Sequence, residues 1–107
     1  MGFINEITGN FGEYNIDSTN TTDNVVEKIK EYELSFEDSG YLQDNADNFG
    51  IKNLGIRNDS GSNVVVNINN RPFTILAGSA LNLPHIEMIK SVVFETSGAN
   101  VCVRYVY

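Results

Sequence analysis

Asn63-Val64-Val65-Val66-Asn67-Ile68-Asn69-Asn70-Arg71-Pro72-Phe73-Thr74-Ile75 is the stretch whose reading decides the fold. Val64, Val66 and Ile68 face one way against Asn63, Val65, Asn67 and Asn69, the period of two that marks a half-buried strand. The next residues, Asn69-Asn70-Arg71-Pro72, read as a reversal. Asparagine tolerates left-handed backbone, and Pro72 fixes φ where the chain re-enters extended structure.

The same rhythm continues on both sides. Asn58-Asp59-Ser60-Gly61-Ser62 precedes the stretch as a tight connection, and Ala77-Gly78-Ser79 and Ser97-Gly98-Ala99-Asn100 follow it. Short β-branched runs punctuated at intervals of about 8–12 residues are the pattern of an all-β sandwich or barrel. Strands are expected near 51–57, 63–69, 72–76, 80–83, 89–95 and 100–107. The fold class is all-β, an antiparallel β-sandwich connected as a meander or a Greek key, with no βαβ unit. In the last strand Val101, Val103, Tyr105 and Tyr107 form the core face, and Cys102, Arg104 and Val106 point away.

Toward the amino terminus the pattern is less regular. Glu31-Tyr32-Glu33-Leu34-Ser35-Phe36-Glu37 alternates and is read as a strand adding Tyr32, Leu34 and Phe36 to the core, with the glutamates on a solvated acidic face. Residues 22–30 either extend that strand or form one or two helical turns capped by Asp23; the extended reading is preferred. Residues 1–20 place Phe3, Ile4, Ile7, Phe11, Tyr14 and Ile16 among Gly, Asn and Thr. They are read as an arm that packs on something else, with residues 21–107 as a single sandwich domain.

Composition bounds the function. A chain of 107 residues, 41% apolar and 10% aromatic, suffices for one core. Its longest apolar runs fall far short of the roughly 20 residues that cross a bilayer, and no basic segment followed by an apolar one opens the chain, so a soluble, unexported protein is expected. Residues 1–50 carry eleven acids and two lysines, and residues 51–107 carry three acids and five bases, within a total of −7. The bases, Lys52, Arg57, Arg71, Lys90 and Arg104, are dispersed, which disfavours nucleic acid as a partner.

The chemistry-bearing residues are sparse. One cysteine, Cys102, and one histidine, His85, exclude an internal disulfide and a four-ligand zinc site. His85 after Pro84 reads as a loop residue and Cys102 as a small buried hydrophobe rather than as a nucleophile and its base. Asp44-Asn45-Ala46-Asp47-Asn48-Phe49-Gly50 starts like a calcium loop, but Ala46 stands where a third oxygen ligand is needed and no glutamate closes the loop. No glycine motif for phosphate occurs. No catalytic residue, cofactor or metal is therefore expected.

The segment Ile56–Tyr107, through Phe73-Thr74-Ile75-Leu76-Ala77-Gly78-Ser79, Leu81-Asn82-Leu83-Pro84, Ile89-Lys90-Ser91-Val92-Val93-Phe94 and Val101-Cys102-Val103-Arg104-Tyr105, resembles small β-sandwich accessory proteins of tailed-phage virions. The resemblance covers about half the chain and carries no catalytic residue. It implies a non-enzymatic structural subunit of a phage head, connector or tail, made in the bacterial host cytoplasm and residing in the virion. The expected partners are other virion proteins and further copies of the chain in a symmetric oligomer. The expected interface residues are Phe3, Ile4, Ile7 and Phe11 of the arm and Asn70, Arg71 and His85 at one rim, where an up-and-down meander would place the turn 69–71 beside 84–87. A carbohydrate-binding module and an acidic mimic of nucleic acid are the alternative readings.

Overall fold

The computed structural model describes residues 10–36, 46–84 and 87–107. Among these residues seven strands, β1 (Phe11–Ile16), β2 (Asn53–Asn58), β3 (Val64–Ile68), β4 (Arg71–Ile75), β5 (Ala80–Leu83), β6 (Val92–Phe94) and β7 (Val101–Val106), occur with one helix, α1 (Val25–Leu34), and a 3-10 turn at Ala46–Asn48. The strands form two antiparallel sheets in the orders β1-β7-β2-β5 and β4-β3-β6. The all-β sandwich expected from the sequence is the architecture found.

The core follows from the alternation. Val64, Val66 and Ile68 of β3, Ile75 of β4 and Val92 and Phe94 of β6 are buried in one cluster with Leu54 and Ile56 of β2 and Val101, Val103 and Tyr105 of β7. Burial of such side chains contributes about 1.5–3 kcal/mol each before chain entropy is counted. Only β3 and β4 are consecutive strands paired in one sheet, through a turn with φ of 49° at Asn69 and 67° at Asn70. β1 and β2, joined through α1, share a sheet without being neighbours, and the remaining connections cross between sheets, so of the two topologies left open the meander is excluded. Cα partners run from Val64↔Ile75 to Ile68↔Arg71 across that hairpin.

Each crossing needs its exposed backbone groups satisfied, and asparagine side chains do this. Asn58, fully buried at the end of β2, donates to the carbonyls of Ser62 and Ile75, both at 2.9 Å, and accepts from the Ser60 amide at 3.0 Å. Asn69 accepts from the amides of Lys90 (2.9 Å) and Ser91 (3.2 Å) and donates to the Met88 carbonyl (3.1 Å).

Two expectations are corrected. Residues 11–16 are not part of an arm: they form β1, in register with β7 from Phe11↔Val106 to Ile16↔Val101, so the domain begins well before residue 21. Residues 25–34 are helical, not extended. Asn24 rather than Asp23 is the cap, its Oδ1 accepting from the Val26 amide at 3.1 Å. The same oxygen accepts from the Val92 amide at 3.0 Å, which fastens the helix start to β6. Val25, Val26, Ile29 and Glu33 form the buried helix face, while Tyr32 and Phe36 are exposed. A glutamate on the inward face removed an apolar residue from the helical period and left a spurious alternation in its place. The strand expected over 89–95 shortens to Val92–Phe94, with Ile89 bridging Ile51 alone.

Replacing Asn58 with Ala removes its amide bonds to the Ser62 and Ile75 carbonyls and its bonds from the Ser60 amide and hydroxyl, and leaves a gap where a fully buried side chain stood. The loss of stability is expected to be about 2–4 kcal/mol by denaturant unfolding; a loss below about 0.5 kcal/mol would show that water replaces the amide.

Candidate functional site

Three places on the described surface and interior carry polar chemistry. The first is interior. Glu33 of α1, 9% exposed, accepts a short hydrogen bond from the Tyr105 hydroxyl and a second, at 2.9 Å, from that of Tyr107. Tyr105 reaches the helix by lying over Gly12, where a Cβ would collide with its ring. Phe49 packs against Tyr107 at a centroid distance of 5.3 Å, and Tyr14 of β1 against Tyr32 of α1 at 5.5 Å. With each carboxylate oxygen already taken by a phenol, the group is a lock between helix and sheet. The solvated face expected for Glu33 is thus corrected, because its register on the helix turns it inward.

Burial, followed by the hydrogen bond to Glu33, pushes the Tyr107 phenol up to about 12 and that of Tyr105 higher still. Cys102, although on the outward side of β7, is buried.

The second place is the outer face of the four-stranded sheet. Paired residues share a face, so Glu13, Arg104, Gly55 and Asn82 form one row across β1, β7, β2 and β5, and Phe11, Val106 and Asn53 another. Arg104 Nε lies 3.1 Å from Glu13 Oε1. Phe11, 75% exposed, stands at one side of an open depression of about 660 Å³ lined also by Gly55, Asn82 and Arg104. Among the described residues the margins of this sheet are β5 and β1. Asn10 and Tyr107 exchange both backbone bonds, at 3.0 and 2.9 Å. By ladder alternation Gly12, Tyr14 and Ile16 then bond β7, while the N–H and C=O groups of Phe11, Glu13 and Asn15 point away from it.

The third place is the rim read from the sequence. The structure brings Asn69 to Glu87 (2.9 Å) and Arg71 to the same carboxylate (3.6 Å), so 69–71 and Glu87 do meet. Asn70 sits in the turn. Phe11 is brought not to this rim but to the sheet face. Phe3, Ile4, Ile7 and His85 lie outside the described residues. At the opposite rim Arg57 grips Asp59 through two bonds of 2.7 and 3.1 Å and holds its carboxyl below the ordinary range. Among the described residues no group of three or more His, Cys, Asp or Glu side chains is arranged to hold a metal ion.

No protein-family model, curated protein or solved structure matches the chain.

The two raised phenols set the sign of an alkaline effect. Below pH 10 folded and unfolded chains hold the same phenolic protons; above it the unfolded chain releases protons that the folded one keeps. Stability is therefore lost as pH rises from about 10 through 12, and two of the five tyrosines should resist ionisation until the fold melts. Phenolate absorbance during titration checks this; five tyrosines titrating together near 10 would contradict it. Glu33→Ala, which orphans both hydroxyls, should cost about 2–3 kcal/mol, and Glu33→Gln less.

Proposed function

We propose that the chain is a non-enzymatic structural subunit of a tailed-phage virion, an accessory component of a head, connector or tail that assembles with copies of itself into a symmetric oligomer. The observation that carries this reading is the asymmetry of the sheet margins. Natural sandwiches blunt their edges to prevent association, and three margins here are blunted. In β4 the hairpin closing pair Ile68↔Arg71 leaves the Pro72 nitrogen, which has no hydrogen, on the free side. β6 is three residues long and its Val92 amide is held by Asn24. β5 is four residues long and is followed directly by Pro84.

β1 has none of these devices. It is six residues long, contains no proline, and turns the polar backbone of Phe11, Glu13 and Asn15 outward beside an exposed phenylalanine. A strand margin left open in this way is a site for another chain, and in a subunit of a closed assembly that is its use. The virion setting is supported by the resemblance of Ile56–Tyr107 to phage accessory sandwiches.

A specific observation favours a second reading. The depression between Phe11, Asn53, Asn82 and Arg104 joins an aromatic ring to amide groups, and its one ion pair is internally neutralised. A neutral polysaccharide is the ligand such a surface suits.

Light scattering across a hundredfold range of protein concentration tests the first reading. A mass rising from one copy to a fixed multiple is expected; a single-copy mass throughout, with no partner among virion proteins, would overturn it. The second reading expects soluble glucan oligosaccharides to shift amide signals of Asn53 and Asn82 and to lose that effect in Phe11→Ala.

A further inference from the structure

We infer that the occupant of the β1 margin is β1 of a second copy, paired antiparallel about a two-fold axis at Tyr14. The inference rests on the reading of the chain as a self-assembling subunit and adds to it the strand, the partner and the register. Each copy offers the same six-residue strand, so a two-fold operation matches lengths and joins the two four-stranded sheets into one continuous sheet.

The outward backbone groups restrict the register. They belong to Phe11, Glu13 and Asn15, and only these can form the hydrogen-bonded pairs of a new antiparallel ladder. Centring the axis on Glu13 sets two carboxylates opposite each other, which is unfavourable on a shared face. Centring it on Gly12 pairs Phe11 with Glu13 but leaves Asn15 and Ile16 beyond the overlap. Centring it on Tyr14 places Glu13 opposite Asn15 of the second copy, twice by symmetry, with Gly12 opposite Ile16. Each Glu13–Asn15 pair then exchanges both of its N–H···O=C bonds. An Asn15 amide can also reach a neighbouring carboxylate, for within one chain Asn15 Nδ2 lies 3.5 Å from Glu13 Oε2 on the same outer face.

Charge gives the pairing a recognisable salt dependence. Each copy carries −7, and the acids concentrate in the half that contains β1. Two such copies repel at low ionic strength, so added salt strengthens their association, the reverse of a contact held by opposite charges.

Glu13→Pro is the discriminating variant. The Glu13 N–H points away from β7, so proline there leaves the β1–β7 ladder whole and removes one donor of the new ladder. Glu13→Gln, which keeps that donor, is the control. On the full chain, light scattering should show Glu13→Gln associating like the wild type and Glu13→Pro at least about tenfold more weakly, both with wild-type far-UV spectra; tenfold corresponds to about 1.4 kcal/mol. Should Glu13→Pro fail to fold, cysteine pairing decides. Residues in a hydrogen-bonded pair have Cα atoms about 5.5 Å apart, within disulfide range. A mixture of Glu13→Cys and Asn15→Cys chains should therefore yield an oxidised dimer containing one of each, while either variant alone yields little.

An oligomer that persists unchanged in Glu13→Pro, or that cross-links with Glu13→Cys alone, would overturn the inference and leave the assembly reading standing. A wild-type chain that stays a single copy at every concentration and salt would overturn the inference, and with no partner among virion proteins it would overturn the assembly reading as well.

Discussion

The hydrogen bonds that Glu33 accepts from Tyr105 and Tyr107 tie together the parts of this chain that packing alone would not. A carboxylate removed from water is costly unless both oxygens are engaged. Here the phenol of Tyr105 in β7 and that of Tyr107 just past its end engage them, which fixes the helix end against β7. Gly12 is part of the same device, because the Tyr105 ring occupies the space a side chain at that position would need. The lock thus brings together β7, α1 and β1, and β1 stands at the end of the strand order with β7 on one side only.

The rest of the architecture is a sandwich whose chain changes sheet at almost every turn. Such crossings expose backbone groups that neither sheet can satisfy, and three asparagines answer the requirement. Asn24 links helix and β6, Asn58 joins the end of β2 to the following turn and to β4, and Asn69 binds the hairpin to the segment before β6. Three of the fifteen asparagines are therefore structural bonds between layers.

The carboxyl-terminal half was legible because its strands alternate cleanly and its turns carry the residues their geometry demands. Val64, Val66 and Ile68 are buried as read, and Asn69 and Asn70 adopt the positive φ that makes asparagine useful there. The amino-terminal half was misread for a physical reason. Glu33 interrupts the apolar period of α1, and Phe11, Glu13 and Asn15 of β1 lie on an exposed outer face, so neither element shows its pattern in the chain alone. Of the surface residues singled out, Phe11, Asn70 and Arg71 are in view, and Arg71 meets Glu87 although the meander from which that meeting was expected is not the topology found. The open margin of β1 had no signal in the sequence, because it depends on which side β7 occupies.

The functional account rests on that margin: three backbone pairs aimed at solvent in a fold that blunts its other edges. Amide hydrogen exchange resolved by residue tests it most directly. In dilute protein the amides of Glu13 and Asn15 should exchange rapidly while those of Gly12, Tyr14 and Ile16, bonded to β7, are protected. On raising the concentration, Glu13 and Asn15 should gain protection with the same midpoint as the rise in mass. Protection of Glu13 and Asn15 that never changes as the mass increases would contradict the account.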